Sequence, residues 1–291
     1  MKKIFKYIID KFKKSPDPIN EYIQNGRVPW TRGYLIYRNK YITDQINSVE
    51  SLRMFNQKSI ESDYGQNLDE RVVEYPYLFS CLHGFNGKIL DAGSTFNYEF
   101  ILNQAVLCNP KTKLTILTYA PEKKSFTQRG ISYLYSDLRD IPIRDEFFDC
   151  VVSQSTIEHI DMDNSIYGYD ISNSANEKGK SYEYLFAIRE MLRVLKKGGR
   201  LLITFPFGKF ENHEFFQQFD DEMLAKAEEL LNEMGEYELT FFKYEQSGWR
   251  FAARDELGNV KSYNPHTGRG RGEDGAAHCR SVCCIEFIKQ K

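Results

Sequence analysis

Residues 136–160 read SDLRDIPIRDEFFDCVVSQSTIEHI, and the order of their parts decides the fold. Asp137 follows an apolar run, 131–135, that has the length of a strand. A polar loop comes next. The chain then enters a second apolar strand, 150–153, through Phe147, Phe148 and Asp149. Ser153-Gln154-Ser155-Thr156 turns it, and Ile157-Glu158-His159 completes the segment.

Outward from this segment the alternation continues. On the N-terminal side lie strands at 88–91 and 114–118, with an apolar helix at 98–107 between them. On the C-terminal side an amphipathic helix, 182–197, carries Leu185, Ile188, Leu192 and Leu195 along one stripe. Gly198-Gly199 reads as its left-handed C-terminal cap. A fifth strand, 200–205, a helix at 220–234 and strands near 237–244 and 281–288 follow. Strands and helices alternating at this spacing predict an α/β fold, a doubly wound and mostly parallel seven-stranded sheet covered on both faces. The final pair of strands brings in an antiparallel member. Residues 1–86 are read as an N-terminal extension and cap, and residues 87–291 as the sheet domain. In that extension NLDERVVEYPYLFSCL reads as a helix that Pro76 ends or kinks.

Composition narrows the function. The 291 residues carry a net charge of −2, against the basic face that nucleic acid requires. No apolar run reaches the ~18 residues of a membrane span. The opening MKKIFKYIIDKFKK is too interrupted by lysine for a secretory leader, which points to the cytoplasm. Residues 1–14 nonetheless have helical apolar spacing. They read either as a terminal helix docked on protein or as a peripheral contact with the inner face of a membrane. The six cysteines are scattered, which suits reduced structural thiols. His278-Cys279 and Cys283-Cys284 lack the spacing of paired zinc ligands, so no metal is assigned.

Ligands of open α/β sheets bind outside the carboxyl ends of the strands. Glu158 and His159 stand there, just past the fourth strand. An imidazole titrates near neutrality and can accept a hydroxyl proton, so His159 is the candidate general base and Glu158 its pocket neighbour. Asp161, Asn164 and Tyr167, with Asp163 and Tyr169, offer carboxylate, amide and phenol groups that suit a polyhydroxylated acceptor. A solvated loop is the plain alternative. Arg71 and Glu74 share a helical face, as an exposed ion pair or with Arg71 turned to an anionic acceptor. His213, after the fifth strand, is a second candidate base.

The segment 136–160 resembles the centre of class I S-adenosylmethionine-dependent methyltransferases, and the frame holds from about Gly87 to Gly208. The resemblance implies a Rossmann-like methyltransferase fold and S-adenosyl-L-methionine as cofactor. Asp91-Ala92-Gly93-Ser94 then occupies the first cofactor loop, where Asp91 and Gly93 match the usual acid-x-Gly-x-Gly-x-Gly. Thr95 and Asn97 stand at the later glycines. Thr118 takes the place of the ribose-binding carboxylate, with Glu122 four residues on as a substitute. Asp137 implies an acceptor for the adenine amino group, Leu138 the adjoining amide, and Ser153 the floor beneath the sulfonium.

More narrowly, ILDAGSTFNYEF, TYAPE, STIEHIDMDNSIYGYD, REMLRVLKKGGRLLITFPFG and AAHCRSVCCIEF resemble a methyltransferase group associated with bacterial surface-polysaccharide synthesis. That implies O-methylation of a sugar or glycan, a small-molecule or glycan partner, and no nucleic acid. The rival expectation is a catalytically silent protein of the same fold that binds or scaffolds a partner. The glycine-poor loop and Thr118 favour it. Asp137 and Glu158-His159 count against it.

Overall fold

The computed structural model describes residues 17–119, 121–165 and 179–291. The basic segment 1–14 and Tyr167 lie outside the described residues. Four helices open the described chain: α1 (Pro18–Gln24), α2 (Tyr34–Asn47), α3 (Val49–Asn56) and α4 (Arg71–Cys81). The alternating part follows as β1 (Lys88–Ala92), α5 (Glu99–Leu102), α6 (Ala105–Cys108), β2 (Lys113–Thr118), β3 (Ser132–Tyr135) and β4 (Phe148–Gln154). Then come α7 (Tyr184–Val194), β5 (Leu195–Pro206), the short β6 (Glu211–Asn212) and β7 (Gln217–Gln218), and α8 (Asp221–Met234). The chain closes with β8 (Gly235–Glu245), β9 (Gly248–Ala252) and β10 (Ser281–Lys289).

The main sheet has the order β3-β2-β1-β4-β5-β10-β8-β9. β3, β2, β1, β4 and β5 are parallel to their neighbours, with Leu90 level with Thr115 and with Val151. β10 enters antiparallel between β5 and β8, Ile285 facing Ile203 on one side and Leu239 on the other. The central strands β1, β4 and β10 read as nearly unbroken apolar runs because both faces are covered, while the edge strand β3 is exposed to half-buried. Along β5, Leu202 joins one core, while Leu201 and Ile203 join the other. Cys284 and Cys283 divide in the same way, as the two-residue period of a strand requires.

One core is built from β1 and the middle strands together with Ile42 of α2, Phe55 of α3 and Val72 and Leu78 of α4. The N-terminal helices therefore bury their apolar stripe on the sheet itself rather than forming a separate body. Ile188 and Leu192 of α7 and Met223, Leu224 and Leu231 of α8 fill the opposite face. Asp220 starts α8 by accepting from the Met223 amide at 3.2 Å, a cap worth about 1 kcal/mol.

Four expectations need correction. The sheet has eight strands rather than seven, because the chain after β8 doubles back as β9. The helix expected over 98–107 is two short turns, α5 and α6, with Gln104 in extended conformation between them. Pro76 lies inside α4 without ending it. Finally, α7 stops at Val194, not at the glycine pair. Lys196 is drawn back to Asp149 of β4 at 2.5 Å, so the chain is already in β5 when it reaches Gly198.

Candidate active site

The carboxyl ends of β4 and β5 are met by α4 through one residue. Glu74 is fully buried. Its Oε1 accepts from the hydroxyls of Ser155 at 2.5 Å and Thr204 at 2.6 Å. Its Oε2 accepts from Arg71 Nη1 at 2.7 Å and Gln154 Nε2 at 3.2 Å. A buried carboxylate is costly unless every oxygen is satisfied, and this one has four donors. The sequence left the pair either exposed on a helix surface or with Arg71 turned to an anionic acceptor, and did not show Glu74 as buried. The structure makes it a buried anchor that leaves Arg71 24 % exposed, facing a cavity.

That cavity holds about 250 Å³. Its floor is Ser155, Glu158 and His159 from the end of β4. Its walls come from Trp30, Arg38, Asp69, Glu70, Arg71 and Tyr75 of the N-terminal region, Tyr98 and Phe100 of the β1–β2 connection, and Phe215, His266 and His278. Trp30 closes one corner, donating its indole N–H to the Ala277 carbonyl at 2.7 Å. Tyr75 donates its hydroxyl to the Thr95 carbonyl and so ties the cap to the first loop.

His159 Nδ1 lies 2.6 Å from the Phe215 carbonyl. A carbonyl only accepts, so Nδ1 carries the proton and Nε2 keeps its lone pair. Burial pushes the imidazole down to about 4, against the pull of that carbonyl, and it stays neutral at pH 7. Nε2 is 3.9 Å from Glu158 Oε1. Burial drives the Glu158 carboxyl well above the usual range, which favours its protonated form, and its Oε2 has no hydrogen-bond partner among the described residues. A neutral imidazole thus stands beside a carboxyl that burial biases toward its protonated form.

The first-loop residues also take defined places. Asp91 is buried at the end of β1 and accepts from Thr95 N at 3.1 Å, Thr95 Oγ1 at 3.2 Å and Phe96 N at 2.7 Å. Burial outweighs those donors and raises its carboxyl to about 7. Ala92 ends β1 with no exposure. Gly93 has φ 134°, and a Cβ there would stand 2.1 Å from Thr156 Oγ1. The glycine is required by the close approach of β4's end, a reason the sequence did not show. Ser94 turns the loop at φ 62°, and its hydroxyl donates to Glu122. Thr118 is buried at the end of β2. Glu122, placed by that contact beside the first loop, is therefore the carboxylate that this edge offers.

At the next loop Asp137 is gripped by Arg139, whose guanidinium meets it at 2.7 Å, 3.1 Å and 3.2 Å. Those bonds, opposed by partial burial, hold its carboxyl below the ordinary value. Leu138 is buried in the core beside Ile141. Ser153 is fully buried in β4, and its hydroxyl has no hydrogen-bond partner among the described residues.

A methyltransferase-domain family model matches residues 102–203, the stretch from the end of α5 through most of β5. That match covers about a third of the chain. Among solved structures it is similar to a SAM-dependent methyltransferase of Thermotoga maritima, described as a possible histamine N-methyltransferase. That pair shares 16% identity over 97% of this chain and 99% of that one, with TM-score 0.42. The N-methyltransferase NodS of Bradyrhizobium japonicum, in complex with S-adenosyl-L-homocysteine, shares 13% identity over 87% and 99%, with TM-score 0.41. The [4+2]-cyclase SpnF shares 14% over 83% and 82%, with TM-score 0.43. No curated protein matches the sequence.

S-adenosylmethionine is the cofactor of this methyltransferase domain. The residues at the edge fit it. Ser94 and Glu122 join the first two loops with a hydroxyl and a carboxylate suited to ribose hydroxyls. Asp137 fits less freely, since Arg139 already fills much of its accepting capacity.

Of the expected acceptor residues, Arg71, Glu158 and His159 meet at the cavity. Asp161, Asn164 and His213 are not on its wall. Asp161 accepts from Ser181 Oγ at 2.9 Å. Asn164 donates to the carbonyls of His159 at 3.1 Å and Met162 at 3.0 Å, fixing the turn after the imidazole. His213 is buried rather than open to the edge. Its ring is stacked 4.5 Å from Phe216, and burial pushes it down to about 4. Glu70 and Tyr75 were missed, Glu74 was read only as half of a helical ion pair, and His278 was weighed only as a metal ligand. An acid inside the apolar run RVVEYPYLFSC was the available signal for Glu74.

Proposed function

We propose that the chain transfers a methyl group from S-adenosylmethionine to a hydroxyl of a sugar or glycan, in the synthesis of a surface polysaccharide. The observation that carries this reading is the cavity wall. Most drug-like pockets are largely apolar with a few polar groups. This one sets carboxylates, imidazoles and two guanidinium groups beside Trp30, Tyr75, Tyr98 and Phe100. Hydroxyls that both donate and accept suit such a wall, and aromatic faces suit the C–H side of a sugar ring.

The bound cofactor supplies an electrophilic methyl group. Gly93, Ser94, Glu122, Asp137 and Leu138 are the residues proposed to hold it. The chain's remaining task is positioning, which supplies much of the rate when the donor is already activated. His159 Nε2 takes the acceptor proton. The Phe215 carbonyl holds the tautomer and strengthens as a partner when Nδ1 shares the new positive charge. Glu158, biased by burial toward its protonated form, is within reach of an acceptor oxygen, and the cap's aromatic residues exclude water.

The test is transfer of labelled methyl from the cofactor to nucleotide sugars, lipid-linked glycans, small carboxylic acids and peptides. Label on a sugar hydroxyl supports the reading. Label on a peptide or carboxylate refutes the acceptor class, and cofactor binding without transfer to any acceptor supports the scaffold instead.

A further inference from the structure

We propose that Glu70, His278 and Cys279 form a three-ligand zinc site on the wall of the same cavity. Glu70 sits at the start of α4, and His278-Cys279 lies just before β10, 208 residues further along the chain. The fold brings a carboxylate oxygen, an imidazole nitrogen and a thiol sulfur to within 4.8 Å of one another. Those are the three ligand types that zinc takes in proteins.

The spacing is close to what the ion needs. His278 Nδ1 is 3.2 Å from Glu70 Oε1 and 3.2 Å from Cys279 Sγ. Zinc bonds of about 2.0–2.3 Å in tetrahedral array set neighbouring ligand atoms roughly 3.3–3.8 Å apart. A small outward shift of each side chain therefore admits the ion. Charge also closes: carboxylate and thiolate together neutralise a divalent cation, which matters because Glu70 is 4 % and Cys279 1 % exposed. The neighbouring cations are already matched, Arg71 by Glu74 and Arg38 by Asp69.

Three protein ligands and one open position is the pattern of catalytic rather than structural zinc. Glu70 and His278 both line the cavity, so the open position falls to a water or an acceptor oxygen held there. Coordination through Nδ1 also fixes the proton of His278 on Nε2. That atom is buried with no hydrogen-bond partner among the described residues. A zinc ion here polarises an acceptor hydroxyl beside His159. Binding of the ion itself does not depend on the methyl-transfer reading.

The experiment uses the full-length chain, stripped with a chelator and reloaded with zinc chloride or cobalt(II) chloride, without cofactor or acceptor. We expect one zinc per chain by elemental analysis after gel filtration. The cobalt form should show a sulfur-to-cobalt charge-transfer band and tetrahedral visible bands. Cys279→Ser should abolish the charge-transfer band, and Cys283→Ser, inside the sheet, should keep it. Glu70→Gln should weaken cobalt binding by at least about 10-fold. Absence of a sulfur band in the unmutated chain overturns the proposal, and this result does not depend on any variant folding. An unchanged band in Cys279→Ser, or unchanged affinity in Glu70→Gln, overturns it as well.

Discussion

Replacing Glu74 with alanine should cost about 3–5 kcal/mol of folding stability, the penalty for stranding one member of a buried ion pair. Four donors lose their acceptor at once: two hydroxyls, an amide and the Arg71 guanidinium. The hydroxyls of Ser155 and Thr204 can rotate to other partners. Arg71 cannot change its charge, and it is 24 % exposed, too little for water to replace the carboxylate fully. Glu74→Gln separates shape from charge. The amide oxygen can face Arg71 and Gln154, while its NH2 faces hydroxyls that accept. Shape and hydrogen bonds are then kept and the charge is lost, for about 1.5–3 kcal/mol.

The assay is urea unfolding followed by tryptophan emission. The two tryptophans serve different regions, since Trp30 lies in the cap and Trp249 is buried against it. Adding Arg71→Met to Glu74→Gln should recover part of the loss, because the stranded cation is then gone. If Glu74→Ala costs less than about 1 kcal/mol, or the double variant is as weak as the sum of its parts, the anchor is not what joins cap to sheet.

His159→Ala should lower turnover about 10²–10⁴-fold with cofactor affinity retained. With the imidazole held down to about 4, kcat/KM should stay level through pH 6.5 and fall only near pH 4. An inflection at 6.5 would contradict the burial. The same shift makes the unfolded chain bind more protons between about 4 and 6.5, so His159 lowers stability as pH falls through that window. Gly93→Ala should destabilise by about 1–3 kcal/mol through collision with Thr156, and an unchanged melting temperature would show that β4's end moves freely. Asp137→Ala should weaken S-adenosylhomocysteine binding by about 1–3 kcal/mol in calorimetry, and Arg139→Ala, which frees that carboxylate, should not weaken it. Deleting residues 1–14 should leave cofactor affinity intact. It should abolish salt-sensitive liposome pelleting if the full-length chain shows any, and no pelleting from the start rules out the membrane role.

The central strands were legible because burial on both faces leaves a short apolar run, as in β1 and β4, whereas the edge strand β3 is exposed to half-buried. Expected and observed limits of β1, β2 and β3 differ by a single residue. β9 was not legible, since GWRFA carries too few apolar residues to mark a strand, and only the tight return from β8 makes it one. The end of α7 was misplaced because Gly198-Gly199 has the composition of a cap. Asp149, distant in sequence, draws Lys196 into the strand before the glycines are reached.

At the site, local patterns found Glu158 and His159, which follow a strand directly. They could not find His278, which reaches the same cavity from just before β10, nor the reason for Gly93, which lies in Thr156. The loop from Asp161 was read as an acceptor surface from its chemistry alone. Asn164 and Asp161 spend that chemistry on the backbone and on Ser181, and in doing so they hold His159 in place. Polar side chains next to a catalytic candidate are as often its supports as its neighbours in the pocket.

The cap bears on the size of the acceptor. It is fixed to the sheet domain at three separated points: Glu74 on the ends of β4 and β5, Tyr75 on the first loop, and Trp30 on Ala277. Three ties to different elements oppose hinge opening, since any rotation must break at least one of them. An acceptor must then enter a space of about 250 Å³, below the roughly 300–1,000 Å³ of common ligand pockets. That room suits one sugar unit with its remaining chain outside, and it does not suit an entire nucleotide sugar. Within the labelled panel, glycans with a terminal unit free to enter should therefore be preferred over nucleotide sugars. The reverse preference would mean that the ties at Glu74, Tyr75 and Trp30 give way when substrate binds.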